Sequence, residues 1–317
     1  MIYRTLIVGL GKIGIGYDLN VVDLNIVNSH ARAITIHEKF ELVGGVDINH
    51  ERRSIFNTFY KKNTYSTLIE AIDETSPDIV VVSSNSETHL ETIEIICKSN
   101  HNIIAILCEK PLGTSLSDAT NIVQLCHTNN IKLYVNFIRR SDIGAINILN
   151  RIIETKITLP VKGFCFYTKG FIHNASHFFN LLELWVGKMK DFTILSNESI
   201  NNSGLKEPDV KIEFENGIIY FLAGNEEKFS YSLLEFVSDS GRLKYDFGGE
   251  KITWFSSLNI SNNSEIEELI PNDLKKYQLN VFNEIQKSLT GEFANICTGD
   301  EALSNLYSMY KIIKLLN

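Results

Sequence analysis

Five short runs rich in Val and Ile constrain this chain more than any other feature. They lie at Ile2–Val8, Glu41–Val46, Ile79–Ser83, Ile103–Leu107 and Lys132–Val135. They are not built on polar–apolar alternation, so each reads as a strand covered on both faces. Helix candidates fall between them, near His30–His37, Glu51–Tyr60, Thr67–Asp73, Thr88–Ser99 and Ser115–Asn129. That alternation predicts β-α-β units, hence an α/β fold with a doubly wound (Rossmann) parallel sheet.

The first run leads directly into Gly9-Leu10-Gly11-Lys12-Ile13-Gly14. A strand, a glycine turn and then a helix form the context in which this spacing binds a dinucleotide. Gly9 permits the tight turn, Gly11 lets backbone approach a pyrophosphate, and Gly14 lets helix and sheet pack closely. The N–H groups of Lys12 and Ile13 open the helix that would face the phosphates. The second run ends at Asp47, whose carboxylate can accept from an adenosine ribose and repels a 2′-phosphate, favouring NAD over NADP. Arg52 and Arg53 lie nearby and temper that preference. Asp47 also stands further from Gly14 than the usual spacing of about 20 residues. The excess points to an insertion around Tyr17–Asn28, near the mouth of the cofactor site, either a surface loop or a lining of the substrate pocket.

After about Asn150 the pattern changes. A helix candidate at Asn174–Val186 precedes strand candidates at Lys190–Ser196, Val210–Phe214, Ile218–Ala223, Ser230–Val237, Gly241–Phe247 and Lys251–Phe255. Turn signals such as Glu215-Asn216-Gly217 separate them and predict a large, mostly antiparallel open sheet in a C-terminal α+β domain. Helices near Leu274–Leu289 and Asp300–Leu316 follow, and Asn259–Ser264 reads as an exposed loop.

Glu109-Lys110-Pro111 after the strand ending at Leu107, downstream of the glycine turn, resembles the glucose–fructose oxidoreductase / inositol dehydrogenase (Gfo/Idh/MocA) family. Ser83-Ser84-Asn85-Ser86-Glu87-Thr88-His89 resembles that family's segment after its fourth strand. Asn136-Phe137-Ile138-Arg139-Arg140 resembles the lead into its second domain. Gly170–Asn180 resembles its active-site helix, and Gly299-Asp300-Glu301-Ala302 its terminal segment. The resemblance implies hydride transfer between nicotinamide and a C–OH/C=O carbon of a sugar, cyclitol or sugar derivative. It implies Lys110 and His177 as catalytic residues. It also implies cofactor contacts from Ser84, Asn85, His89, Glu109 and Lys110. Asn136, Arg140, Tyr167 and Asn174 are candidates for substrate contacts. The helix departs from the family: His173 replaces the usual aspartate, Ala175 a glycine and Asn180 a second aspartate. His173, one turn before His177, is therefore the expected substitute in proton transfer. These departures keep two alternatives open, a reductase of imines or conjugated double bonds and a non-catalytic NAD sensor.

The predicted boundaries are a dinucleotide-binding domain at 1–135 and a substrate and oligomerisation domain at 136–317, whose terminal helix can return to the first. A formal net charge of -8 argues against nucleic acid, which needs clustered cations. Five irregularly spaced cysteines predict free thiols in a reducing compartment, with neither a disulfide framework nor a zinc site. His173 and His177 lack a third ligand in the sequence, so no metal is expected. No apolar run approaches the ~20 residues needed to span a bilayer, and a cytoplasmic address is expected. A homodimer or homotetramer is expected through an apolar outer face of the second domain's sheet.

Overall fold

A computed structural model describes residues 1–200, 206–259 and 264–316. Along the chain run β1 (Tyr3–Val8), α1 (His30–Ile36), β2 (Phe40–Val46), α2 (His50–Tyr60), β3 (Thr64–Tyr65), α3 (Leu68–Thr75) and β4 (Ile79–Val82). Then come α4 (His89–Lys98), β5 (Ala105–Cys108), α5 (Leu116–Thr128) and β6 (Lys132–Val135). The second half holds α6 (Ile143–Ile153), β7 (Val161–Tyr167), α7 (Ser176–Val186), β8 (Met189–Ile200), β9 (Lys206–Phe214) and β10 (Gly217–Ala223). It continues with β11 (Leu233–Ser238), β12 (Gly241–Asp246), β13 (Lys251–Asn259), β14 (Ser264–Ile270), α8 (Tyr277–Thr290), β15 (Cys297–Thr298) and α9 (Gly299–Lys314).

Two compact units result. One comprises Met1–Ser141 with Lys275–Leu303, the other Asp142–Leu274 with Ser304–Asn317. The single cut expected near residue 135 thus becomes a discontinuous division. The returning segment carries α8, whose Val281, Phe282 and Ile285 are buried with Ala31 and Ile34 of α1. A helix with that apolar stripe has to be buried, and the α1 side of the sheet supplies the partner.

The first unit contains a sheet in the order β15-β6-β5-β4-β1-β2-β3. Its long strands run parallel, with antiparallel β15 on one edge. Ile79–Val82 and Ala105–Cys108 are buried along their whole length, as strands covered on both faces must be. The second unit contains a sheet in the order β14-β13-β12-β11-β7-β10-β9-β8. Its pairs are antiparallel except β7 with β10, which run parallel. Phe178, Phe179, Leu182 and Trp185 of α7 pack into this unit's core with Ile148 of α6. Trp185 Nε1 donates to Ala145 O at 3.1 Å, satisfying the one polar atom of that buried ring.

The insertion delays α1. Residues 11–17 make one helical turn, with Ile15 N and Gly16 N both donating to Gly11 O. The chain leaves that turn and returns at His30, where His30 N donates to Ile13 O and Ala31 N to Gly14 O. The helix expected behind the glycines is thus a single turn, and α1 docks onto it after the insertion. Asp18 holds the excursion closed: its carboxylate accepts from Asn28 N, Ser29 N and Ser29 Oγ.

The outer face of the second sheet differs from the broad apolar surface expected. Phe164 and Tyr220 sit in register with Lys211, Glu235 and Lys244. Arg242 lies over the Phe255 ring at 4.0 Å, so aromatic and charged side chains are interleaved there. Of the expected loop Asn259–Ser264, residues 260–263 lie outside the described residues.

Candidate active site

The first unit carries a cleft of about 780 Å³ along the C-terminal ends of β1, β2, β4 and β5. Open parallel sheets bind ligands at this edge. Gly9, Gly11, Lys12 and Ile13 form one wall, Asp47 and Arg52 one end, and Ser83–Thr88 another side. Glu109 and Lys110 reach the same cleft, and so does Tyr17 from the insertion. Sequence reasoning left the role of the insertion open; through Tyr17 it contributes to the wall.

The glycines divide the labour as their spacing requires. Gly9 has φ +98°, and a Cβ there would lie 2.5 Å from Ser84 N. A Cβ on Gly14 would lie 2.2 Å from Gly9 O, so Gly14 packs the turn and does not line the cleft. Gly11 is different. Among the described residues, nothing beyond its chain neighbours lies within 4 Å of a Cβ built there. That open side is the space a pyrophosphate would take, and it is the feature by which the residues fit a dinucleotide.

Asp47 is more committed than the sequence suggested. It is 8% exposed. Oδ2 accepts from Leu10 N at 2.8 Å and Oδ1 from Asn49 N at 2.8 Å. The carboxylate therefore ties the glycine turn to the end of β2, with Arg52 Nη1 3.5 Å away. His89 was expected at the cofactor but is fully buried behind the cleft. Its ring nitrogens lie 3.2 Å from Leu112 O and 3.1 Å from Ser84 O, so it braces two loops and does not line the cleft. Ser84 and Asn85 do line it.

Glu109 sits in a polar network that sequence reasoning missed. Its Oε1 lies 2.8 Å from His30 Nε2 and accepts from Asn136 Nδ2 at 2.6 Å. Gln278 Oε1 accepts from the same Asn136 amide at 3.4 Å. Burial pushes the Glu109 carboxyl up, but the His30 bond and charge, the Asn136 bond and Lys110 together outweigh it and hold it below the ordinary value. Burial lowers Lys110 from the usual lysine value; Glu109 opposes that change and Arg139 adds to it.

Two substrate candidates in the first unit become scaffold. Asn136 is 1% exposed and serves Glu109. Arg140 is buried, donates to Asn295 O at 2.9 Å and pairs with Glu301. Its guanidinium is spent on anchoring the chain before α9.

In the second unit, His177 is buried on α7 and His173 is exposed on the π-turn Phe171–Ala175 that precedes it. The one-turn spacing is present, but the two imidazoles occupy different environments. His173 packs over Gly170, and the Glu207 carboxylate lies on the same side of that glycine. Glu207, which sequence reasoning also missed, is buried and accepts from Phe171 N at 2.5 Å at the start of the turn. Its separation of 36 positions from Phe171 left no local signal. Asn180, where the family has an aspartate, donates to Asn305, and Asn305 to Glu183, so this position is structural. Asn174 Nδ2 donates to Thr168 O and Ser232 Oγ. Tyr167 is corrected from substrate contact to core: it is 1% exposed and its hydroxyl donates to Pro208 O at 2.8 Å. As the last residue of β7 it points to the helix-covered face. Among the described residues, no group of three or more His, Cys, Asp or Glu side chains could hold a metal ion, and no cysteine is in a disulfide. No described helix is long and apolar enough to cross a membrane.

A Rossmann-type parallel sheet with a glycine-turn cleft is thus followed by a second, mostly antiparallel sheet. Residues 3–137 match the family model described as "Oxidoreductase family, NAD-binding Rossmann fold". Over 128 residues the chain is 27% identical to glucose-6-phosphate 3-dehydrogenase of Bacillus subtilis, covering 40% of this chain and 35% of that protein. Over 137 residues it is 25% identical to myo-inositol 2-dehydrogenase of Thermotoga maritima, covering 43% and 36%. The matches thus span about a third of the length of these two relatives. Among solved structures, the WlbA dehydrogenase from Bordetella pertussis, in complex with NADH and UDP-GlcNAcA, superposes with TM-score 0.75 at 16% identity. That match covers 99% of this chain and 97% of that one. An oxidoreductase from Agrobacterium radiobacter, in complex with NAD+, L-tartaric acid and magnesium, gives TM-score 0.76 at 14% identity over 98% of this chain and 95% of that one. These likenesses establish the fold.

Proposed function

We propose that the chain is an NAD-dependent oxidoreductase acting on a C–OH/C=O carbon of a sugar, cyclitol or sugar derivative. One observation carries the reading: a single cleft brings the open side of Gly11, the Ser84–Asn85 loop and the Glu109–Lys110 pair together. Bound nicotinamide would supply the hydride acceptor or donor at its C4 atom. The chain's own task is to move the alcohol proton and steady the developing alkoxide. Lys110, lowered by burial, suits that task on the first unit. By the family resemblance, His177 and the exposed His173 of the second unit are further candidates for proton transfer. The sugar-related names of the relatives support the substrate class.

NAD is the preferred cofactor on this reading, because Asp47 places a buried negative charge at the adenosine end of the cleft. Arg52 at the same end limits the margin. The protein works in the cytoplasm as a homo-oligomer built through the outer face of the second unit's sheet. The test is an NADH-oxidation panel over keto-sugars, keto-cyclitols and cyclic imines. Turnover of keto-sugars or keto-cyclitols, abolished by Lys110→Ala, supports the reading. Turnover of imines alone would replace it.

A further inference from the structure

His30, Glu109, Asn136 and Gln278 come from four separate segments of the first unit and meet behind the cleft. His30 is 0% exposed, Asn136 1% and Gln278 0%. Glu109 alone of the four lines the cleft. Two bonds converge on its Oε1, from His30 Nε2 and Asn136 Nδ2. His30 itself is fixed by its place in the fold: its backbone N–H donates to Ile13 O of the glycine turn, and its ring meets Phe282 of α8 edge-on at 6.3 Å. A buried carboxylate is costly unless it is paired and hydrogen-bonded, and this one is supplied with both.

We propose that His30 is a positioning residue of the cofactor site, holding the Glu109 carboxylate ionised and aimed so that its cleft-facing side accepts a hydrogen bond from the nicotinamide ribose. This rests on the reading that the cleft binds a nicotinamide dinucleotide. The same residue ties the glycine turn to the Glu109–Lys110 loop, through its backbone N–H on one side and its ring on the other.

The charged and titratable groups around Glu109 are His30 from α1, Lys110 on its own loop, Cys108 at the end of β5 and Tyr277 at the start of α8. Arg139 acts at one remove, on Lys110. Of these, His30 contributes both a direct hydrogen bond and a compensating charge. With His30 removed, only the Asn136 bond and Lys110 are left to oppose desolvation, and Glu109 takes up a proton at higher pH. A protonated Glu109 is a poorer acceptor for a ribose hydroxyl.

The test is the pH dependence of NADH affinity, by fluorescence titration of the full chain between about pH 8 and about pH 5, for the unchanged protein, His30→Phe and His30→Gln. The unchanged protein should vary by less than about threefold. His30→Phe should lose some affinity at the alkaline end, where Glu109 is ionised but no longer aimed, and about tenfold or more beyond that at the acid end, because affinity then also falls in proportion to the fraction of Glu109 that is protonated. His30→Gln keeps a donor without the charge and should fall between them; it also carries the comparison should His30→Phe fail to fold. An acid limb unmoved in both variants would overturn the proposal. If the unchanged protein bound no NADH at any pH, the cofactor reading would fail instead. The His30–Glu109 link would then be judged by thermal unfolding of His30→Gln, Glu109→Gln and the double change. Non-additive changes in Tm would uphold the link, and additive changes would overturn it.

Discussion

Replacing Gly11 with valine separates binding from folding more cleanly than any other change in the cleft. A Cβ at Gly11 meets nothing within 4 Å among the described residues, and the backbone there is outside the left-handed region. The substitution should leave stability within about 0.5 kcal/mol, as surface changes do, with a small gain from a stiffer unfolded chain. The three added carbons occupy the approach to the pyrophosphate, so NADH affinity should fall at least about a hundredfold, or roughly 2.7 kcal/mol. Gly14→Ala is the matched control. Its Cβ would lie 2.2 Å from a backbone oxygen, which forces the turn open and should cost about 1–3 kcal/mol of stability. Urea denaturation and NADH fluorescence titration on both variants read the two effects. A Gly11→Val protein that bound NADH within about threefold of the original would refute the placement of the pyrophosphate over this glycine.

Other consequences follow from named contacts. Asp47→Ala strips acceptors from the backbone N–H groups of Leu10 and Asn49, so it should cost on the order of 3 kcal/mol in a urea titration and narrow the NADH-over-NADPH preference. Lys110 titrates below the ordinary lysine value of 10.5, so alcohol oxidation with NAD+ should rise with pH through an inflection below that value as the lysine loses its proton. Lys110→Ala should abolish that limb, and a pH profile unchanged in the variant would remove Lys110 from proton transfer. His173→Asn should lower kcat by about tenfold or more if the exposed imidazole takes part, whereas a smaller loss would leave the task to His177 and Lys110. Light scattering at micromolar concentration should give a dimer or tetramer mass; a monomer would dismiss the sheet-face interface.

The parallel sheet was legible because its strands are short, β-branched and buried on both faces, a pattern that needs no partner to be read. The glycine turn was legible for the same local reason. What the sequence hid is chiefly non-local. His30 pairs with Glu109 across 79 positions, and nothing near His30 marks it as part of a carboxylate cage. The displacement of α1 behind the insertion depends on Asp18 capping Asn28 and Ser29, a contact visible only once the loop closes. Strand β7 escaped because Lys162 and Gly163 separate Val161 from the short Phe164–Tyr167 run, yet it pairs parallel with β10 through seven residues. Arg140 and Tyr167 were read as polar groups awaiting a substrate, but Asn295, Glu301 and Pro208 already satisfy them. Residue type alone therefore overcounted the site, because distant segments contribute the partners of these groups.

A crystal structure of the chain grown with NAD tests most directly whether this cleft holds a nicotinamide dinucleotide with its reactive end at Lys110. The expected placement has the pyrophosphate over the N–H groups following Gly11, the adenosine ribose beside Asp47 and the nicotinamide ring within about one water's reach of Lys110 Nζ. A dinucleotide bound elsewhere, or one whose nicotinamide lay at the Arg52 end of the cleft, would contradict it.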